Sequence, residues 1–130
     1  MVKRRRKQTG QALVEIALVL PILLMVLMGI IDFGRVFHGY LTVTNAARTA
    51  VRQAAVGVSD LVVIQTAKDS AGSLDATQIN VTITPVQSSR YPGNSVTVEV
   101  RYDLSILTPI MRSFMPNPFT INGKAVMILE

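Results

Sequence analysis

The chain has 130 residues, enough for one domain of ordinary size, and it contains neither Cys nor Trp. Without Cys there is no disulfide framework, no thiolate metal site and no cysteine nucleophile. The net charge is +5, but five of the thirteen basic residues are Lys3, Arg4, Arg5, Arg6 and Lys7, and the remainder balances eight basic against eight acidic residues. A body without excess charge argues against a nucleic-acid partner.

The basic cluster runs directly into an apolar stretch. Residues 16–31 carry no charge, and extension back to Ala12 gives twenty residues interrupted only by Glu15. Twenty helical residues span about 30 Å, the thickness of a hydrocarbon core. Ahead of such a segment, a Lys/Arg run is a topology determinant that places the N-terminus in the cytoplasm and the C-terminal part outside. No A-x-A-like site closes the apolar run, so we expect it to be retained rather than removed as a secretory signal. Pro21 deprives the Ala17 carbonyl of its helical partner. It reads either as a tolerated membrane-helix proline or as a flexible point used when subunits pack. Glu15 sits one turn inside the cytoplasmic edge, where it either reaches water or pairs with a cation of a neighbouring subunit.

Residues 32–56 keep helical periodicity, with Phe33, Val36, Phe37, Tyr40, Val43, Ala47, Ala50, Val51 and Ala54 recurring at three- and four-residue steps. Gly34 and Gly39 weaken this stretch locally, and Gly57 makes a C-terminal stop. Arg48 and Arg52, one turn apart on the wet side, are a possible subunit contact. His38 reads as a solvated helix residue, since no second His or Cys exists to build a metal site with it. Ser59 and Asp60 can cap a second helix through about Ala71, with Leu61, Ile64, Ala67 and Ala71 as its apolar stripe.

The period then switches to two. Residues 79–84 alternate cleanly and stop at Pro85, and Pro92-Gly93-Asn94 leads into a strand with Val96, Val98, Val100, Tyr102 and Leu104 on one face. Residues 105–118 hold Pro109, Pro116 and Pro118 but also Ile106, Leu107, Ile110, Met111, Phe114 and Met115, more apolar surface than a solvated loop needs. They form either a short helix completing the core or an exposed docking patch for partner subunits or a membrane surface. Residues 119–129 make a third strand. Short links imply an antiparallel meander covered by the amphipathic helix, an α+β head.

The stretch Gly10-Gln11-Ala12-Leu13-Val14-Glu15-Ile16-Ala17-Leu18-Val19-Leu20-Pro21 resembles the N-terminus of TadE-like proteins, pseudopilins of the tight-adherence (Flp-type) type IV pilus systems. The likeness continues through Gly29-Ile30-Ile31-Asp32-Phe33-Gly34-Arg35 and, more loosely, Asn45-Ala46-Ala47-Arg48. It implies a pilin-like layout: a long N-terminal helix, half in the membrane, with a sheet wrapped on its distal half. It also implies cleavage of the Gly10–Gln11 bond by a prepilin peptidase, and pairing of Glu15 with the new N-terminal amine of an adjacent subunit. Major Flp pilins resemble a much shorter chain with Glu-Tyr at that place. Ile16 after Glu15 and the C-terminal domain favour a minor pilin or pseudopilin.

These readings divide the chain into a basic leader (1–10), a transmembrane or filament-core helix (11–31) and an extracytoplasmic α+β part (32–130). The expected function is that of a structural and assembly subunit of a bacterial pilus or secretion filament, with no cofactor, metal or catalytic residue. The resemblance implies as partners the peptidase, other pilin subunits, the inner-membrane assembly platform and membrane lipid. The competing expectation is an unprocessed single-pass membrane protein whose head binds an envelope partner.

Overall fold

A computed structural model of the protein describes residues 5–130, and side chains from residue 10 onward. The start of the expected leader, residues 1–4, lies outside the described residues. Helix α1 runs from Arg5 to Ala55 as one element of 51 residues, about 75 Å at 1.5 Å per residue. It stays helical through Pro21, Gly34 and Gly39. Its end is built by Gly57, whose φ of +80° lets the Gly57 N–H reach the Ala54 carbonyl and the Val58 N–H the Gln53 carbonyl. A left-handed glycine closing the last turn in this way is the standard helix stop.

Everything else is assembled on the distal half of α1. Helix α2 (Asp60–Ser70) packs on one side. Strands β1 (Ile79–Thr84), β2 (Ser95–Leu104) and β3 (Phe119–Ile128) form an antiparallel sheet in the order β1-β2-β3. Helix α3 (Pro109–Phe114) interrupts the β2–β3 connection. The expected α+β meander is therefore what forms. Alternation along β2 sends Val96, Val98, Val100, Tyr102 and Leu104 into the core, opposite Val43, Ala46, Ala47, Ala50, Val51 and Ala54 of α1.

Strand β3 runs beside α1 in the same direction. Ile121 lies against Gly39, Gly123 against Val43 and Thr44, and at the far end the Glu130 N–H donates to the Ala55 carbonyl. The contact is a backbone approach: a Cβ on Gly123 would stand 2.5 Å from the Val43 carbonyl carbon and oxygen. Small residues on α1 make this possible, since Ala46, Ala47, Ala50 and Ala54 are wholly buried.

This close approach corrects the expected core face. Phe33, Phe37 and Tyr40 fit the helical period but stand 72%, 56% and 52% exposed. Val43, Ala47, Ala50, Val51 and Ala54 are buried as expected, and Gly39 and Ala46 join them in place of the aromatic residues, because a ring on this face would hold the sheet away. On α2, Ala67 and Ala71 are buried as expected and Ile64 is half-buried, but Val63 takes the inner position at the start of the helix and Leu61 is 82% exposed. Ser59 occupies the cap position without accepting a side-chain hydrogen bond there, and Asp60 pairs instead with Arg90.

Gly123→Ala will destabilise the head by about 1–3 kcal/mol, the usual cost of overpacking, read as a lower midpoint in thermal unfolding. Gly34→Ala, whose Cβ meets nothing within 4 Å, will leave stability unchanged or raise it by up to about 1 kcal/mol through helix propensity.

Candidate functional site

The chain offers two places of functional interest, separated along α1. The first is the N-terminal apolar half. In its most apolar 18-residue window no residue is buried, with a mean hydropathy of 2.8. Gly10 has open space where a side chain would stand. One turn on, the Gln11 Nε2 donates to the Glu15 Oε1 at 3.3 Å, both exposed. Glu15 borders a shallow apolar surface formed with Ile16, Val19, Leu20 and Leu23. Pro21 is exposed on the same uninterrupted helix. An apolar surface of this length with no cover inside its own fold has only lipid or other helices to meet.

Arg48 and Arg52 lie far from this end, roughly 50 Å along the helix from Glu15 at 1.5 Å per residue. Both are exposed. They line a shallow groove with Val51 and, from β3, Lys124, Ala125, Val126 and Met127. The structure thus adds a third cation, Lys124, to the expected pair, and no carboxylate lines the groove. His38 is exposed, its Nε2 3.2 Å from the Ser73 hydroxyl. Among the described residues no group of three or more His, Asp or Glu is placed to hold a metal.

The second place was not foreseen. Asp32, the first residue after the apolar run, is 1% exposed. Its Oδ1 accepts the Leu107 N–H at 3.1 Å and its Oδ2 the Thr108 N–H at 2.8 Å. The Arg35 guanidinium stands 3.4 Å from Oδ1 and donates to the Ser105 carbonyl at 3.0 Å. One carboxylate therefore clamps the β2–β3 connection to α1 where the helix leaves its apolar half. Burial works to raise the Asp32 pKa. The donors of Thr108 and Leu107 and the charge of Arg35 together outweigh it and hold the carboxyl below its ordinary value. The signal in the sequence was a carboxylate at the apolar boundary, three residues before an arginine. It showed a charge that needed a partner, but not where the partner was.

The α3 segment also resolves an open alternative. A helix forms after Thr108, with Pro109 at its first position, where a missing N–H costs nothing. It does not complete the core, because none of its residues is buried. Phe114 is 82% exposed, and of the apolar loop residues only Ile106 is buried.

A long helix, bare over its apolar half and clasped by a three-stranded antiparallel sheet over the other, is the α+β layout of a pilin-like, membrane-associated protein. Residues 10–52 match the family model described as TadE-like protein. The match spans the helix from Gly10 to within a turn of its end and stops before the sheet. No curated protein and no solved structure matches the chain.

Asp32→Ala leaves the Leu107 and Thr108 amides without acceptors, a loss of about 1–3 kcal/mol, so their hydrogen exchange will speed up roughly tenfold or more while that of Val98 and Val100 changes little. In the unaltered protein the folded carboxyl ionises below its unfolded value. The clamp is thus complete above the ordinary carboxylate range and is lost as the pH falls through the lower, folded-state pKa. Protection of the two amides measured against pH will follow that order.

Proposed function

We propose that this protein is a minor pilin or pseudopilin of a Tad-type pilus, inserted with its N-terminus in the cytoplasm and its head outside. In this reading residues 1–10 are a leader removed by a prepilin peptidase, residues 11–31 the membrane and filament-core helix, and residues 32–130 the outward-facing part. The observation that carries it is an apolar helix that contributes nothing to its own head, preceded by a Gly10–Gln11 bond and bearing Glu15 near its start.

The physical logic runs from storage to assembly. In the bilayer the uncovered helix is satisfied by lipid. On extraction it is satisfied by the helices of other subunits, through close packing of apolar surface. Cleavage after Gly10 takes away the five charges of the leader and frees one amine at Gln11. Glu15 is five residues into the trimmed chain, and among the described residues its contact is the weak, exposed hydrogen bond from Gln11. A carboxylate at the margin of an apolar helix favours a cation, and the freed amine of a neighbouring subunit supplies one, which would fix the stagger between helices. Pro21, with the free Ala17 carbonyl one turn before it, is the point at which the helix can yield during this packing. Arg48 and Arg52, joined by Lys124, offer cations to a carboxylate of a neighbouring head.

Intact-mass measurement of the membrane-extracted protein, from cells with and without the peptidase, will differ by residues 1–10. Equal masses would overturn the processing step and leave the reading of an unprocessed single-pass protein with a partner-binding head. Glu15→Gln will enter the membrane normally but will be recovered severalfold less in sheared filaments. Undiminished recovery would show that the charge does not set the stagger.

A further inference from the structure

The β2–β3 connection is built inside out relative to an ordinary surface loop. Its backbone polar groups are consumed by side chains behind it: the Ile106 N–H donates to the Asn117 Oδ1, and the Leu107 and Thr108 N–H groups to Asp32. The Ser105 carbonyl accepts from Arg35 and the Ile106 carbonyl from the Arg112 Nε. Five backbone polar groups between Ser105 and Thr108 are thus taken up by side chains. The segment also turns large apolar side chains outward, with Leu107 48%, Ile110 44% and Phe114 82% exposed, beside the exposed Ser105, Arg112, Ser113 and Asn117. From residue 104 to residue 118 the sequence contains one cation, Arg112, and no carboxylate.

Its position is fixed by Asp32. That residue directly follows the apolar run, and side chains on a helix lean toward its N-terminus, here toward the apolar half. With a rise of 1.5 Å per residue, the clamped backbone lies within about one helical turn of the hydrocarbon boundary. The strands confirm the direction: β3 starts at Phe119, beside Phe33 and Val36, and ends at the opposite pole beside Ala55. The connection is the membrane-facing end of the head.

We propose that residues 105–115 are an interfacial foot that inserts into the lipid leaflet on the head's side of the membrane and sets the height and tilt of the head before assembly. The inference rests on the reading of residues 11–31 as a membrane span. Lipid is the occupant because Asp32 fastens the segment directly beside the apolar half of α1, because side chains take up the backbone groups of residues 105–108 that face the helix, which lowers the cost of non-helical chain near hydrocarbon, and because the segment carries no carboxylate that anionic lipid would repel. Phe33 and Phe37, exposed on α1 just past the boundary, extend the same apolar belt.

The absence of Trp from the chain allows single-tryptophan reporters in the full-length protein, reconstituted in phosphatidylethanolamine–phosphatidylglycerol vesicles containing lipid brominated high on its acyl chains. Phe114→Trp will be blue-shifted and quenched by the brominated lipid roughly half as strongly as Ile30→Trp or more, since both lie near the interface. Tyr91→Trp, in the turn before β2, will emit as in water and stay unquenched. Quenching of Ile30→Trp without quenching of Phe114→Trp overturns the foot and leaves the span standing. Failure of Ile30→Trp to be quenched overturns the span itself, and the foot with it. A Phe114→Trp emission that is blue-shifted but unquenched assigns the patch to protein contact and also overturns the foot. Adding Asp32→Ala to Phe114→Trp will lower its quenching at least about twofold, because the clamp holds the segment at depth; unchanged quenching would remove Asp32 from that role.

Discussion

The close approach of β3 to α1 governs the rest of the structure. Gly123 lies against the backbone of Val43 and Thr44, with no room for a methyl group. Once that contact is made, the alanines at 46, 47, 50 and 54 become the core, and a head of modest size buries its apolar face without large side chains on the helix. The sheet follows from it. β2 pairs with β3 from Ser95–Ile128 to Leu104–Phe119, so its alternate valines meet the alanine face, and β1 adds to the other edge of β2. Dispersion and burial both reward such contact, since interiors are packed nearly as densely as organic crystals.

The same approach explains why the apolar surface is divided. Aromatic residues that fit the helical period but not the narrow gap are turned away, and Phe33, Phe37 and Tyr40 gather on the outside near the boundary of the apolar half. They lie on the same end as the β2–β3 connection, which Asp32 and Arg35 fasten to the helix. The protein therefore has a dry, small-residue interior at one end and an apolar exterior at the other. These are separate properties: the interior holds the head together, while the exterior is left uncovered by the protein's own fold.

Asp32 ties the two regions together. A buried carboxylate is costly unless its lone pairs are used. Here two backbone amides and an arginine use them. The charge is thus held at the edge of the apolar segment without exposing polar backbone beside it. Glu15, at the other end of the apolar helix, has no such arrangement among the described residues beyond the hydrogen bond from Gln11. One carboxylate is buried and satisfied by its own head; the other stands exposed.

The sequence by itself determined the long helix, α2 and the three strands, and their order, but not α3. Hydropathy marked the apolar helix, period-two alternation gave the strands to within a residue or two, and Gly57 marked the helix end. These signals are local, set by dihedral preference and by which side of one element is apolar. The TadE-like resemblance through residues 10–52 was equally legible, because it is carried by consecutive residues of one helix. What the tertiary structure decided was which apolar residues become interior. Periodicity cannot tell Phe37 from Ala47 as a core residue; only the width of the gap against Gly123 does that. Nor could it show that Asp32 holds residues 107 and 108, since that contact spans 75 and 76 positions and exists only after the sheet has folded back along the helix.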